Sequence, residues 1–284
     1  MPSRIPTVLA ALALLALPAL VRADALADAA RKVADQYRDS IVNVTAVAKI
    51  EFSGLPMSSS ANSQESKIEA IGTVIDADGM IVLSAGALNP ANMIGEVTVN
   101  IGGENQTIKP HGTTTDIKIR MPDGREFAAK QVFTDSELDM TFLVPDLKAG
   151  EEAPKFTPLK LAKGAKAGIL DQVIGLSRLN KQMNYEPAVV VGRIVALLHK
   201  PRTLYIAPLA EGVNLGAPVF TAEGATLGFI AVRRQDAGAG GSGSSRTIKA
   251  QATTVVLPMD DVIDLVDQAR KAAKEKKDEK PAAK

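Results

Sequence analysis

Few side chains in this 284-residue chain could carry a reaction. There is no cysteine, which removes thiolate nucleophiles, thiolate metal sites and disulfides together. The two histidines, His111 and His199, stand far apart in the sequence and read as surface or loop residues, so no metal site is expected. What remains is hydroxyls and carboxylates. Both types serve acyl transfer, in which a hydroxyl attacks, an imidazole takes its proton and a carboxylate holds the imidazole.

Two further patterns carry no chemistry. Gly238-Ala239-Gly240-Gly241-Ser242-Gly243 matches G-x-G-x-x-G, but that motif binds a dinucleotide only when it opens a helix. Here it runs into β-branched residues 247–256 and reads as a linker loop, so no cofactor is expected. Asn43-Val44-Thr45 and Asn105-Gln106-Thr107 match the glycosylation sequon, the first of them inside an expected strand.

The elements that must position any site follow from composition and periodicity. Apolar residues make up 46%, enough for a sizeable core, but aromatics are 4% and Trp is absent, so Val, Ile, Leu and Ala must build it. A net charge of +1 gives no reason to expect nucleic acid. Residues 1–25 have the form of a signal peptide: Arg4, an apolar run over 8–20, then small-residue cleavage sites around Ala23 and Ala25. The run is short for a bilayer span, so cleavage, export to the periplasm or the extracellular space, and no stable membrane span are expected.

Residues 25–38 repeat apolar side chains at helical spacing. From Ser40 the pattern turns to short β-branched runs. Strands are expected over 41–47, 73–75, 80–83, 96–101, 107–109, 116–121, 126–133 and 140–144. A second set is expected over 159–161, 172–175, 185–198, 202–206, 218–220, 226–233 and 247–256. Asp76-Ala77-Asp78-Gly79 and Pro122-Asp123-Gly124 are hairpin turn signals. Residues 52–67 and 236–245 read as loops. Met259, Val262, Ile263, Val266 and Ala269 make the apolar face of a last helix over 259–272, with Asp260 and Asp261 at its positive end. A disordered charged tail is expected over 273–284. The fold class is therefore all-β, with helices at the ends.

Three segments carry a resemblance. The first is Gly72-Thr73-Val74-Ile75-Asp76-Ala77-Asp78-Gly79-Met80-Ile81-Val82-Leu83-Ser84-Ala85-Gly86-Ala87-Leu88. It resembles the histidine segment of HtrA/Deg-type proteases, G-x-V-I followed by D-G-Y-I-L-T-N-N-H-V-V. Phe133–Leu143 resembles their aspartate segment, D-x-x-x-D-L-A-V-L. Val213-Asn214-Leu215-Gly216-Ala217-Pro218-Val219 resembles the trypsin-like nucleophile loop, G-N-S-G-G-P plus an apolar residue, and 223–230 resembles the strand pair after it. Weaker echoes lie at 172–175, 191–195 and Leu257-Pro258. The order agrees over roughly residues 40–269, and no room is left for the family's usual PDZ domain.

The resemblance implies two chymotrypsin/trypsin-like six-stranded β-barrels, about 40–148 and 155–257, within one domain over 26–270. The cleft would lie between them. It places the family's histidine on Gly86, its aspartate on Asp139, its serine on Leu215 and the oxyanion-hole glycine on Val213. Leu215 has no nucleophilic atom and Gly86 no side chain. In a comparable hydrolase, loss of the serine or the histidine alone lowers turnover roughly a million-fold. Val213 disfavours any positive-φ geometry the loop needs. Rescue would require Ser84 as nucleophile with His111 swung in as base. Without a nearby base Ser84 is an ordinary hydroxyl, and with its catalytic partner absent Asp139 reads as a structural carboxylate that caps backbone N–H groups beside the cleft.

Three readings follow. One is an inactive pseudoprotease that binds or scaffolds an extended peptide or unfolded protein in the cleft, against apolar walls and a strand edge. Another is a serine endopeptidase with a non-standard site. The third is an exported barrel whose cleft is idle and whose function lies in the Ser-rich loop 52–67 or the tail. Nothing in the sequence signals an oligomeric state.

Overall fold

A computed structural model describes residues 25–53, 63–94, 97–101, 104–148, 150–209, 214–234 and 252–278. Residues 1–24 of the expected signal segment 1–25, the 236–245 loop and Val213 lie outside the described residues. Helix α1 covers residues 25–37. It leads through a 3-10 turn, Arg38–Ser40, into β1 (Ile41–Ser53). There follow β2 (Ser63–Val74), β3 (Ile81–Ser84), the short α2 (Ala85–Leu88) and a second 3-10 turn, Pro90–Met93. Then come β4 (Val97–Ile101), β5 (Glu104–Arg120), β6 (Glu126–Asp135) and β7 (Met140–Pro145). The second half holds β8 (Gln172–Arg178), β9 (Pro187–Arg193), β10 (Ala196–Leu198), β11 (Leu204–Ile206), β12 (Pro218–Thr221), β13 (Thr226–Arg234) and β14 (Ala252–Pro258). Helix α3, Met259–Asp278, ends the described chain.

The first sheet runs β1-β2-β3-β7-β6-β5-β4, all antiparallel, and β1 pairs with β5 as well as with β2. Six strands thus close a barrel, and β4 extends it outside β5. The second sheet runs β10-β11-β14-β13-β12-β8-β9. Its outer members, β9 and β10, are two halves of one segment, 187–198: the first half pairs with β8 and the second with β11. This sheet also returns on itself, as a second six-membered barrel. Both barrels have one strand order. Numbered within each, the strands follow 1-2-3-6-5-4 back to 1.

Local chemistry explains the tight corners. The Asp76 carboxylate accepts the N–H groups of Asp78 (3.1 Å) and Met80 (2.9 Å), and Gly79 at φ 85° turns the chain into β3. Barrel one is filled by Val42, Val44, Val74, Ile81, Leu83, Ile119 and Leu143. A second apolar cluster fills barrel two, continues across the seam to Ile41, Val82, Met140 and Phe142, and takes in both terminal helices. Each helix packs across the seam. Helix α1 leads into barrel one, yet Tyr37 stacks on Phe220 of β12, ring centroids 5.4 Å apart. Helix α3 follows barrel two, yet Lys276 Nζ donates to Gln131 O of β6 at 3.1 Å.

Several expectations are corrected. Residues 63–67 are strand, not loop: Glu51↔Ser63 and Ile50↔Gln64 pair, so an existing partner strand overrides a polar composition. The expected strands 107–109 and 116–121 are one strand, β5, with Asp116 at φ 50° where the pairing with β1 shifts register. Residues 159–161 form no strand, although Leu159 is buried and its N–H donates to Val74 O at 2.8 Å. The expected strand 185–198 begins with a turn and is interrupted at Ile194–Val195. Helix α3 runs past 272 to Asp278, through part of the stretch expected to be tail.

Candidate functional site

Asp139 stands in the turn between β6 and β7, at φ 56°, a left-handed conformation that Asp tolerates better than most residues. Its side chain is buried at the seam. Oδ1 accepts the Gly86 N–H at 2.7 Å, and Oδ2 accepts the Ser84 hydroxyl at 2.7 Å. Oδ2 also accepts the Val232 N–H from β13 of barrel two, at 2.9 Å. The Asp139 carbonyl receives the Ala85 N–H at 3.0 Å. One residue therefore fixes the β3–α2 corner and ties it to the other barrel.

The corner itself is built by Ser84, the N-cap of α2, whose Oγ accepts the Ala87 N–H at 3.1 Å while donating to Asp139. Ser84 is fully buried, and both bonds commit its hydroxyl to structure. Gly86 is also buried. A Cβ placed there would lie 2.7 Å from Met93 Cγ and 3.2 Å from Asp139 Oδ1, so any larger side chain must push Met93 aside.

The third segment, 214–217, lies against the same corner. Asn214 Nδ2 donates to Arg178 O at 2.9 Å and to Ser177 Oγ at 3.2 Å. Gly216 stands at φ 84°, and its N–H donates to Ile230 O at 2.7 Å. Added there, a Cβ would sit 2.7 Å from Ser84 N and 3.0 Å from Leu83 Cα, so glycine is demanded by both backbone angle and space. Leu215 is half-buried against the shared core.

Gly86, Asp139 and the turn bearing Leu215 are thus brought together, and Val213 is the one expected site residue outside the described chain. Neither Gly86 nor Leu215 offers a group that can attack or take a proton. His111 sits in β5 opposite Glu51, and His199 follows β10; among the described residues neither hydrogen-bonds to Ser84 or Asp139. No group of three or more His, Asp or Glu among the described residues could hold a metal ion.

Sequence reasoning missed two arginines. Arg178, at the end of β8, is buried, and its guanidinium donates to Ile41 O (2.6 Å), Arg38 O (2.7 Å) and Tyr185 O (2.9 Å). Burial lowers its pKa, and the charges of Asp39 and Glu186 work against that shift. Arg202 donates to Asp261 and Glu137, both at 3.2 Å, joining the start of α3 to the turn before Asp139. The only hint of Arg178 in the sequence was a charge closing an apolar run.

No protein-family model matches the chain, and no curated protein matches it in sequence. Among the described residues, no helix is long and apolar enough to cross a membrane.

Proposed function

We propose that the chain is an exported trypsin-like domain of the HtrA/Deg type, catalytically inactive, that binds extended peptide or unfolded protein between its barrels. One observation carries the reading. Two of the segments that resemble catalytic motifs meet at a buried carboxylate, Asp139, which is spent on the Ser84 hydroxyl and on the Gly86 and Val232 N–H groups, and Gly216 of the third lies against Ser84. The shared strand order of the two barrels supports it.

The binding element is the edge of β13 beyond Phe229, where no described strand pairs with it on the β12 side. Strand β12 pairs with β13 as far as Phe229, and backbone bonds from the 216–217 turn reach Ile230. Beyond that point the Val232 N–H goes to Asp139, and among the described residues no strand pairs with 231–234 on that side. With the Val232 N–H already given to Asp139, an extended segment can add there only through the main-chain groups that remain, without any nucleophile.

The test uses the mature chain, a serine-directed covalent probe and a fluorescent, permanently unfolded model protein. Saturable binding with neither labelling nor cleavage is expected. Labelling of one serine, lost when that serine is replaced, would sink the inactive reading; absence of binding would sink the peptide-binding reading. Gly86→His with Leu215→Ser is expected to stay far below the turnover of an intact triad, because Met93 fills the space an imidazole needs. Family-level turnover from that double variant would overturn the steric argument.

A further inference from the structure

A cavity of about 220 Å³ opens on the seam beside the last residues of β13. Its barrel-one wall is the 136–138 turn, immediately before Asp139, and its barrel-two wall comes from β11, β13 and β14. Two guanidinium-bearing residues line it, Arg202 and Arg233, against one carboxylate-bearing residue, Glu137. Arg202 is held from behind by Asp261. On its other side it meets Glu137 at 3.2 Å, a side chain 77% exposed. An ion pair so open to water contributes little and is readily exchanged. Arg233 is half-buried and has no ion-pair partner among the described residues. Val232, the residue tied to Asp139, lies in the same lining, so the cavity adjoins the stretch of β13 that no described strand pairs with on the β12 side.

Resting on the peptide-binding reading above, we infer that this cavity receives an acidic side chain, Asp or Glu, of a segment laid along residues 231–234. Side chains of an added strand alternate between its two faces, so one of them can enter the cavity while the main chain pairs with the edge. The incoming carboxylate meets Arg233, which has no ion-pair partner among the described residues, and competes with Glu137 for Arg202. Glu137 already occupies Arg202 as the ligand carboxylate would, from within the chain. A planar guanidinium suits such a carboxylate better than an ammonium does, because its donors form a fixed fork.

The experiment measures anisotropy of labelled eight-residue peptides on an Ala/Val/Ser background, with both termini blocked so that only a side chain can supply the carboxylate. Glu-containing peptides are expected to bind about tenfold tighter than their Gln counterparts at low salt. That margin should shrink as salt screens the partly exposed arginines. Arg233→Gln should erase most of it, Arg233→Glu should turn it in favour of Lys peptides, and Glu137→Gln should widen it by removing the internal competitor. Thermal melts establish that each variant is folded, and the peptide pairs are compared only on folded protein. Equal binding of Glu and Gln peptides to the unaltered chain overturns the inference and leaves peptide binding intact. A preference for Glu that survives Arg233→Glu also overturns it. If neither peptide set binds the unaltered chain, the peptide-binding reading itself falls.

Discussion

Two buried charges cross the seam between the barrels, in opposite directions. Asp139 belongs to barrel one and reaches the Val232 N–H of barrel two. Arg178 belongs to barrel two and reaches the carbonyls of Arg38 and Ile41, where the chain enters barrel one. Each charge offsets its desolvation with charge-assisted bonds to backbone groups. The two differ in what surrounds them. Asp139 lies where two of the protease-like segments meet, one hydrogen bond from the Ser84 corner that the third touches, and its donors include a hydroxyl and the N–H of a glycine in a motif. Arg178 lies at the far end of β8, beside the hairpin tip whose Lys181 N–H donates to Glu69 of barrel one at 3.1 Å. The lesson is that a carboxylate in a catalytic pattern and an arginine in no pattern can hold the same joint. Persistence of the first needs no catalysis to explain it.

If both are clamps, removing either should loosen the whole molecule, and the carboxylate should matter more. Asp139→Ala leaves the Ser84 hydroxyl and the Gly86 and Val232 N–H groups without their buried acceptor, and puts a residue that tolerates φ 56° less well in the turn. The expected loss is about 3–5 kcal/mol of unfolding free energy, read by urea titration. Asp139→Asn keeps the shape and one acceptor oxygen, so its loss should be about 1–2 kcal/mol. Equal losses for Ala and Asn would show that charge, not acceptor geometry, holds the corner. No loss for Ala would remove the clamp and restore a purely catalytic account of this residue.

Arg178→Met is the matching change on the other side. It keeps an apolar stem in the buried channel and removes the donors to three carbonyls. A carbonyl left short of one partner is tolerated better than an orphaned N–H. The expected loss is therefore somewhat smaller, about 2–4 kcal/mol in the same titration. Because the second apolar cluster spans the seam and includes both helices, unfolding should remain one transition in either variant. Two resolved transitions in Arg178→Met, with one in Asp139→Ala, would show that Arg178 alone couples the barrels.

The sequence made the fold class legible because its signals are local. β-Branched runs mark strands, and the Asp76–Gly79 turn acts through bonds spanning four residues or fewer. Barrel closure was implied by the resemblance and not legible in the local patterns: it depends on β1 pairing with both β2 and β5, a long-range register that no local pattern states. The polar start of β2 looked like loop for the same reason. At the site, Gly86 and Asp139 were singled out and lie within one hydrogen bond of each other. Met93 was not singled out, because a methionine fills space by shape rather than by motif. Arg178 was missed because its partners are backbone carbonyls, two of them 137 and 140 residues away.

The smallest effect is the most discriminating. A physical path joins the two clamps: Asn214 donates to the Arg178 carbonyl, and two residues on Gly216 lies against Ser84, which bonds Asp139. Asn214 binds the backbone of Arg178, however, and not its guanidinium, so Arg178→Met leaves that bond in place. The two side chains have no hydrogen-bond partner in common among those described. A double-mutant cycle on Asp139→Asn and Arg178→Met should therefore be additive to within about 0.5 kcal/mol. A coupling above about 1 kcal/mol would mean that the 214–217 turn transmits strain from one clamp to the other. The turn occupying the nucleophile loop's place would then be a mechanical link between the barrels, and Asn214→Ala should abolish the coupling while each single loss persists.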